Sequence, residues 1–422
     1  MIRAVLAGLI VVGCSSSSSP SSSPSLDDAS ADTAVDERAP DPCPEVAVCP
    51  EAGEPIRGSG LVPLDRCAFP LAAAVTSSAA LIDAFPIPRL TIAEVATDLN
   101  RTAEAVTAGE VPGSAPGIRS AFRWQAGDVS VPYWIPQGIT GSFDGRATGL
   151  VDGNKLVLVS WYYERELEPG STAEKGVRIA IVDVTDPANL RYRFALLVEP
   201  TGTPDAPSFE SVPVHAGGLA WIGDRLYIPV TGSGFRVFDL SRILHVDTID
   251  DLIGRGADGT YAAHGYEYAI PQIEQITDQG ACAPVFSFVS YDATSQPPSL
   301  VTGEYSSTST AGRLYRWPLA ASGSLVVTTR DRTIPDAVYA MAESHVQGAL
   351  SNDSVWWLSS SRPAAGAGEL VRAREGGTST TLGWGDSPED LAFDPQRASV
   401  WSLSEVVGAR YVYEVARTAI AP

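Results

Sequence analysis

From residue 123 to the C-terminus, short runs of β-branched and aromatic residues recur between Gly, Asp, Pro and Ser. The clearest cover 155–161, 177–183, 193–198, 225–230, 235–239, 285–290, 312–317, 354–358 and 411–415. Runs of this length, bounded by turn-forming residues, predict strands. Helical spacing is scarce among them, so an alternating α/β fold is excluded. N-terminal to this region the period changes. Thr91 stands three residues before Glu94, the spacing of a capping box, and Ile92, Val95, Leu99, Ala103 and Val106 then share one helical face until Gly109 and Pro112. An amphipathic helix is predicted there. It cannot fold alone, so its apolar stripe has to dock on the strands.

A block repeats along the strand-rich part. It reads Gln137-Gly138-Ile139-Thr140, then His215-Ala216-Gly217-Gly218-Leu219, then Gln347-Gly348-Ala349-Leu350, then Glu389-Asp390-Leu391-Ala392. Each copy sets a polar residue before Gly or Asp and a short apolar run, and a strand pattern follows. Repeated units of three or four strands predict an all-β chain folded as a β-propeller. The second and third copies lie about 130 residues apart, too far for one blade, so residues 285–319 supply a further unit between them without a good copy of the block. Five blades account for the pattern, and its uneven intervals leave six or seven open. The last unit ends soon after Val415, and residues 121–124 are expected to complete that blade from the N-terminal side, which removes an exposed sheet edge. The propeller is drawn over 119–422, with a helix-containing, partly irregular extension at 61–118.

The first residues carry an address. One basic residue, Arg3, precedes an apolar stretch that ends at Gly13-Cys14, too short to span a bilayer. Residues 1–13 read as a signal peptide of the lipoprotein type, with Cys14 lipidated. Residues 14–60 begin with Ser and Pro and turn acidic, a composition that stays solvated and acts as a tether. The chain is expected to be exported and held to the bacterial cell envelope by this lipid alone, at the outer membrane or cell surface, as a monomer. A net charge of −21 offers no basic footprint for a nucleic acid. Without Cys14 there are four cysteines, Cys43, Cys49, Cys67 and Cys282, an even set that predicts two disulfides. Three pairings exist, and Cys43 with Cys49 plus Cys67 with Cys282 is the favoured one. No zinc-ligand spacing occurs, and neither a metal nor another cofactor is expected.

The runs 212–221 and 234–240 resemble a group of uncharacterised bacterial secreted β-propeller proteins. So do Pro136-Gln137-Gly138, Val159-Ser160-Trp161-Tyr162, Gly303-Glu304-Tyr305, Val346-Gln347-Gly348, Pro388-Glu389-Asp390 and Ser404-Glu405. The resemblance spans most of 121–415. It implies the fold and export, and it brings no catalytic residue with it.

In a propeller the innermost strand of each blade starts on the face that also carries the loop between the second and third strands. The block residues Gln137, His215, Gln347, Glu389 and Asp390 are therefore expected around one funnel. Tyr162, Thr231, Glu304, Ser360 and Glu405 are expected to join them from those loops. His215 is the sharpest acid/base candidate, because an unperturbed imidazole titrates near neutrality, with a structural hydrogen bond between blades as the plainer role. Glu304, Glu389 and Glu405 are the carboxylates that could pair for glycoside chemistry. Gln137 and Gln347 do not titrate and suit recognition. Binding of a small molecule, glycan or protein without catalysis is the favoured function. A hydrolase or lyase using His215 and the channel carboxylates is the alternative. The cluster Asp183, Asp186 and Asn189 reads as a turn after a strand before it reads as a calcium loop. His245 and His264 carry no ligand spacing, and His345, two positions before Gln347, is expected either at the channel or in a loop.

Overall fold

The computed structural model of the chain describes residues 38–45, 47–50, 55–76, 79–308, 312–361 and 367–421. The signal peptide, Cys14 and residues 15–37 of the tether lie outside them. From Arg38 onward the chain forms one compact unit.

Five four-stranded antiparallel sheets make up that unit. Blade 1 is Trp134–Gly141, Leu156–Tyr163, Val177–Asp183 and Arg191–Thr203. Blade 2 is Ala220–Ile222, Arg225–Val230, Gly234–Asp239 and Tyr268–Thr277. Blade 3, at Phe286–Asp292, Ser299–Glu304, Arg313–Pro318 and Ala337–Ala340, fills the interval that lacked a copy of the block. Blade 4 is Val346–Asn352, Val355–Ser360, Glu369–Ala373 and Thr380–Gly383. Blade 5 takes Pro388–Asp394, Ser399–Ser404 and Tyr411–Ala416 from the C-terminus and its fourth strand, Ile118–Arg123, from the N-terminal side. The ring is a five-bladed propeller, closed as the pattern predicts.

The strand composition follows from this packing. A blade is covered on both faces by its neighbours, so Leu156, Val157, Leu158 and Val159 are all buried in succession. Leu156 and Leu158 join Leu226, Ile228 and Phe238 of blade 2, whereas Val157, Val159 and Trp161 join Trp401, Leu403 and Val412 of blade 5. Tyr227 and Phe235 meet Phe286 and Trp317 between blades 2 and 3. Leu314 meets Trp356 and Leu358 between blades 3 and 4, and Trp357 meets Leu391 and Tyr413 between blades 4 and 5. Each neighbouring pair thus shares one apolar core.

The extension is a belt rather than a helical layer. Ser59 and Leu61 bridge to Thr378 and Glu375 of blade 4. Val62–Pro63 pairs with blade 3, Val75–Thr76 with blade 2, Arg101–Thr102 with blade 1 and Glu104–Val106 with blade 5. Gly113 then bridges to Gly385, back beside blade 4. The chain circles the whole ring before it enters the blades. The expected helix shrinks to Ile92–Val95, with the Thr91 and Glu94 capping box formed as its spacing predicts. The apolar residues of the stripe pack in different places. Ile92 and Val95 fill the gap between blades 1 and 2, Ala103 lies between blades 1 and 5, and Val106 packs against the core between blades 4 and 5. An extended chain reaches three gaps where one helix would serve one.

The disulfides also differ from the favoured pairing. Cys43 joins Cys67, and Cys49 joins Cys282. A loop of a few residues was expected to close first, but residues 38–50 are themselves anchored to the body. The Asp41 side chain is only 2% exposed, and its carboxylate takes two hydrogen bonds from Arg332 and one from Thr328. The folded body therefore starts within the stretch drawn as tether.

Candidate functional site

The repeated block owes its form to the way five innermost strands meet. In blades 1, 3, 4 and 5 the pairing of the innermost strand with its neighbour slips at the block, between Pro136 and Ile139, Phe286 and Phe288, Val346 and Gly348, and Pro388 and Leu391. The extra residues of these β-bulges include Gln137, Ser287, Gln347 and Glu389. A bulge breaks the strand's alternation and re-aims a side chain, here toward the ring axis. In blade 2 the same place is held by His215, ahead of the first strand, with the next residue, Ala216, at φ 54°.

The glycines of the block answer to a second demand. A Cβ on Gly348 would stand 2.5 Å from the Cα of Asp390 in blade 5, and one on Gly138 would stand 2.6 Å from the carbonyl carbon of Gly218 in blade 2. Innermost strands of neighbouring blades touch backbone to backbone there. Ser160 ties the same junction, accepting the Gly138 N–H at 2.7 Å and donating to the Ala216 carbonyl at 2.7 Å.

At the end where the innermost strands begin, these residues surround a cavity of about 430 Å³. Gln137, His215, Gln347, Glu389 and Glu405 line it, as expected, with Tyr162 and Thr231. Gln137 donates to the Glu405 carboxylate at 2.9 Å, and Gln347 donates to Glu389 at 3.1 Å. The site thus holds two carboxyl–carboxamide pairs. The His215 ring leans on Tyr162, with centroids 4.4 Å apart.

Burial dominates the electrostatics. It raises the Glu389 carboxyl well above the ordinary range, and the nearby charge of Glu405 adds to the shift against the Gln347 hydrogen bond. Burial also raises Glu405, opposed by Gln137 and by the more distant Arg410. His215 is open to the cavity, yet the surrounding walls hold its imidazole below the usual histidine value. Burial and the two glutamates push the phenols of Tyr162 and Tyr305 upward.

Three expected residues are elsewhere. Glu304 points into its own blade, where its carboxylate takes hydrogen bonds from the Val285 and Arg313 backbones, the Arg313 side chain and the Tyr315 hydroxyl. Ser360 is buried and donates to the Ser344 carbonyl at 3.0 Å. Asp390 lies under the cavity and is fully buried. Its Oδ2 accepts the N–H of Ile139 from blade 1 and of Leu219 from blade 2, so one carboxyl of blade 5 spans the axis. Its Oδ1 has no hydrogen-bond partner among the described residues.

Tyr305, Val285, Ser287 and Gly217 also line the cavity and were not singled out. The signal for Tyr305 lies in the strand register and not in the sequence pattern. Trp161, Glu304, Ser360 and Ser404 occupy matching places opposite the start of each bulge. The residue after each match faces the funnel in Tyr162 and Glu405, and so in Tyr305. Choosing Glu304 was a slip of one residue, which reverses the side chain's face.

The remaining histidines lie off this wall. His345 contacts Ser344 and the edge of Tyr305, and His245 pairs with Glu267. Asp183 and Asp186 each accept a backbone N–H two residues on, as turn residues do. A larger cavity of about 810 Å³ opens where the belt crosses between blades 1 and 5, beside Trp124, Pro187 and Tyr411. Of its charged residues, Glu104 and Arg123 pair with each other, and Arg410 donates to the Asp128 and Val131 carbonyls.

No family model matches the chain, and no curated protein does. Among solved structures, the chain is similar to a GH43_1 enzyme from Xanthomonas citri at 9% identity and TM-score 0.31, over 68% of this chain and 88% of that one. It is similar to the hydrazine synthase of Kuenenia stuttgartiensis at 11% identity and TM-score 0.27, over 70% of this chain and 90% of that one. Likenesses this distant leave the reading of the site to its own residues.

Proposed function

We propose that the chain is an exported, lipid-anchored envelope protein whose propeller binds a polar small molecule or the end of a glycan without turning it over. The convergence of non-titrating and titrating hydrogen-bonding groups from all five blades on one cavity carries this reading. Gln137 and Gln347 each keep a carbonyl oxygen for a ligand while holding a glutamate in place. Tyr162, Tyr305 and His215 supply flat faces for a ring to rest on. Export is supported by the two disulfides and by the resemblance of the blade-entry runs to secreted propellers. No helix among the described residues is long and apolar enough to cross a membrane.

A thermal-shift screen of residues 38–422 against glycan and metabolite panels tests the reading. A specific ligand should raise the melting temperature, and His215→Ala combined with Gln347→Ala should abolish the gain. A gain that survives both changes places binding outside the funnel.

A second reading, hydrolysis or elimination, is favoured by one observation: two carboxyls share the cavity, and the charge of Glu405 adds to burial in raising Glu389. His215 makes no hydrogen bond to a carboxylate among the described residues, so the catalytic reading narrows to Glu389 as acid and Glu405 as base or nucleophile. Release of nitrophenol from aryl glycosides, lost in Glu389→Gln, would favour it over binding alone.

A further inference from the structure

Carboxylates buried elsewhere in the body face a basic side chain. Asp41 has Arg332, Glu304 has Arg313, Asp292 has Arg316, Asp394 has Lys155, and Glu414 has Arg397. The ring axis breaks this rule. Glu389 and Glu405 receive only carboxamides, Asp390 receives backbone N–H groups, and Asp144 receives the Thr140 hydroxyl. Arg410, the cation behind Glu405, donates to the backbone carbonyls of Glu405, Asp128 and Val131 rather than to the carboxylate. No Lys or Arg is among the residues that line the cavity.

Four carboxyls without a basic partner share the ring axis, and an incoming cation draws those it touches into their charged form, an attraction that the low-dielectric blades around it strengthen. Anionic ligands are disfavoured there. The walls suit the opposite charge, because tyrosine rings attract cations over their faces and His215, held neutral by its surroundings, does not repel them.

We propose that the funnel's ligand carries an ammonium group, primary or quaternary, which sits between the Glu389 and Glu405 carboxyls and against the rings of Tyr162 and Tyr305. This rests on the funnel being the binding site and names the class of ligand it takes. The ligand supplies the directly bonded counter-charge that neither glutamate finds in the fold. At about 430 Å³ the cavity has room for an amino sugar or a small organic ammonium.

Two matched pairs of probes test it by calorimetry at about pH 7 and low salt: choline against 3,3-dimethyl-1-butanol, and glucosamine against glucose. Within each pair the cation should bind roughly tenfold tighter or more. The advantage should vanish in Glu389→Gln combined with Glu405→Gln, and shrink in Glu405→Gln alone should the double change unfold the protein. Neutral partners that bind as tightly as the cations overturn the ammonium proposal and leave the funnel as a binding site. If no probe binds, or if binding survives His215→Ala with Gln347→Ala, the funnel reading falls with it.

Discussion

Asp390 shows how much one side chain can decide in this ring. Blades 5 and 2 are not neighbours, yet the Asp390 carboxyl accepts N–H groups from Ile139 and Leu219 at 3.1 and 3.2 Å and closes the floor of the funnel. Asp390→Ala leaves both donors buried without an acceptor, at roughly 1–3 kcal/mol each. Asp390→Asn keeps an oxygen for them and should cost much less. Chemical denaturation of the two variants separates these outcomes, and equal losses would show that the contacts across the axis do not matter. Gly348→Ala acts at the same place from blade 4. Its Cβ would meet the Asp390 backbone at 2.5 Å, which has no side-chain freedom to yield, so a loss of about 1–3 kcal/mol is expected. This also explains what was legible at residue scale. The small residue of the block could be read as scaffold because three of its four copies carry it. The side-chain direction at Asp390 and Glu304 could not, because it depends on a bulge or a register that only the neighbouring strand sets.

At the scale of elements, strands were readable because a blade buried on both faces needs unbroken apolar runs, such as 156–159 and 355–358. The belt was not. Its pairings are two or three residues long, and the apolar positions that imitate a helical stripe from Ile92 to Val106 are spaced to reach successive gaps between blades. Disulfide pairing was equally hidden, since it depends on where the belt's entry segment is fastened. That fastening has a measurable consequence. Cys49–Cys282 closes a separation of 233 residues and Cys43–Cys67 one of 24. The chain-entropy argument assigns them roughly 5 and roughly 3 kcal/mol. Replacing Cys49 and Cys282 by Ser should therefore lower the denaturation midpoint more than replacing Cys43 and Cys67. The reverse order would mean that the local contacts of Asp41 with Arg332, rather than loop closure, govern how the belt is held.

For the whole molecule, the unpaired carboxyls of the channel should dictate how stability varies with pH. Burial raises Glu389, Asp390, Asp144 and Glu405 above their unfolded values, with further upward pressure from neighbouring acids on the first three. A carboxyl whose folded value is raised binds its proton more tightly in the native state. Stability therefore grows as pH falls through the folded value and levels off below the unfolded one, near about 4. Asp41 acts in the opposite sense. The Arg332 hydrogen bonds hold it below the carboxylate range, so its contribution is present above about pH 4 and is lost as the pH drops further. The melting temperature without ligand should rise as the pH is lowered from the alkaline side toward about 4 and fall below it. Repulsion across a surface of net charge −21 has the same sign as the first limb. Salt distinguishes the two, because it screens exposed charges over about 8–10 Å and reaches buried ones much less. In about 0.5 M salt the rise toward acid should persist in the native chain and flatten in Glu389→Gln combined with Glu405→Gln. A rise that salt removes and the double variant leaves intact would place its origin on the surface and not in the channel.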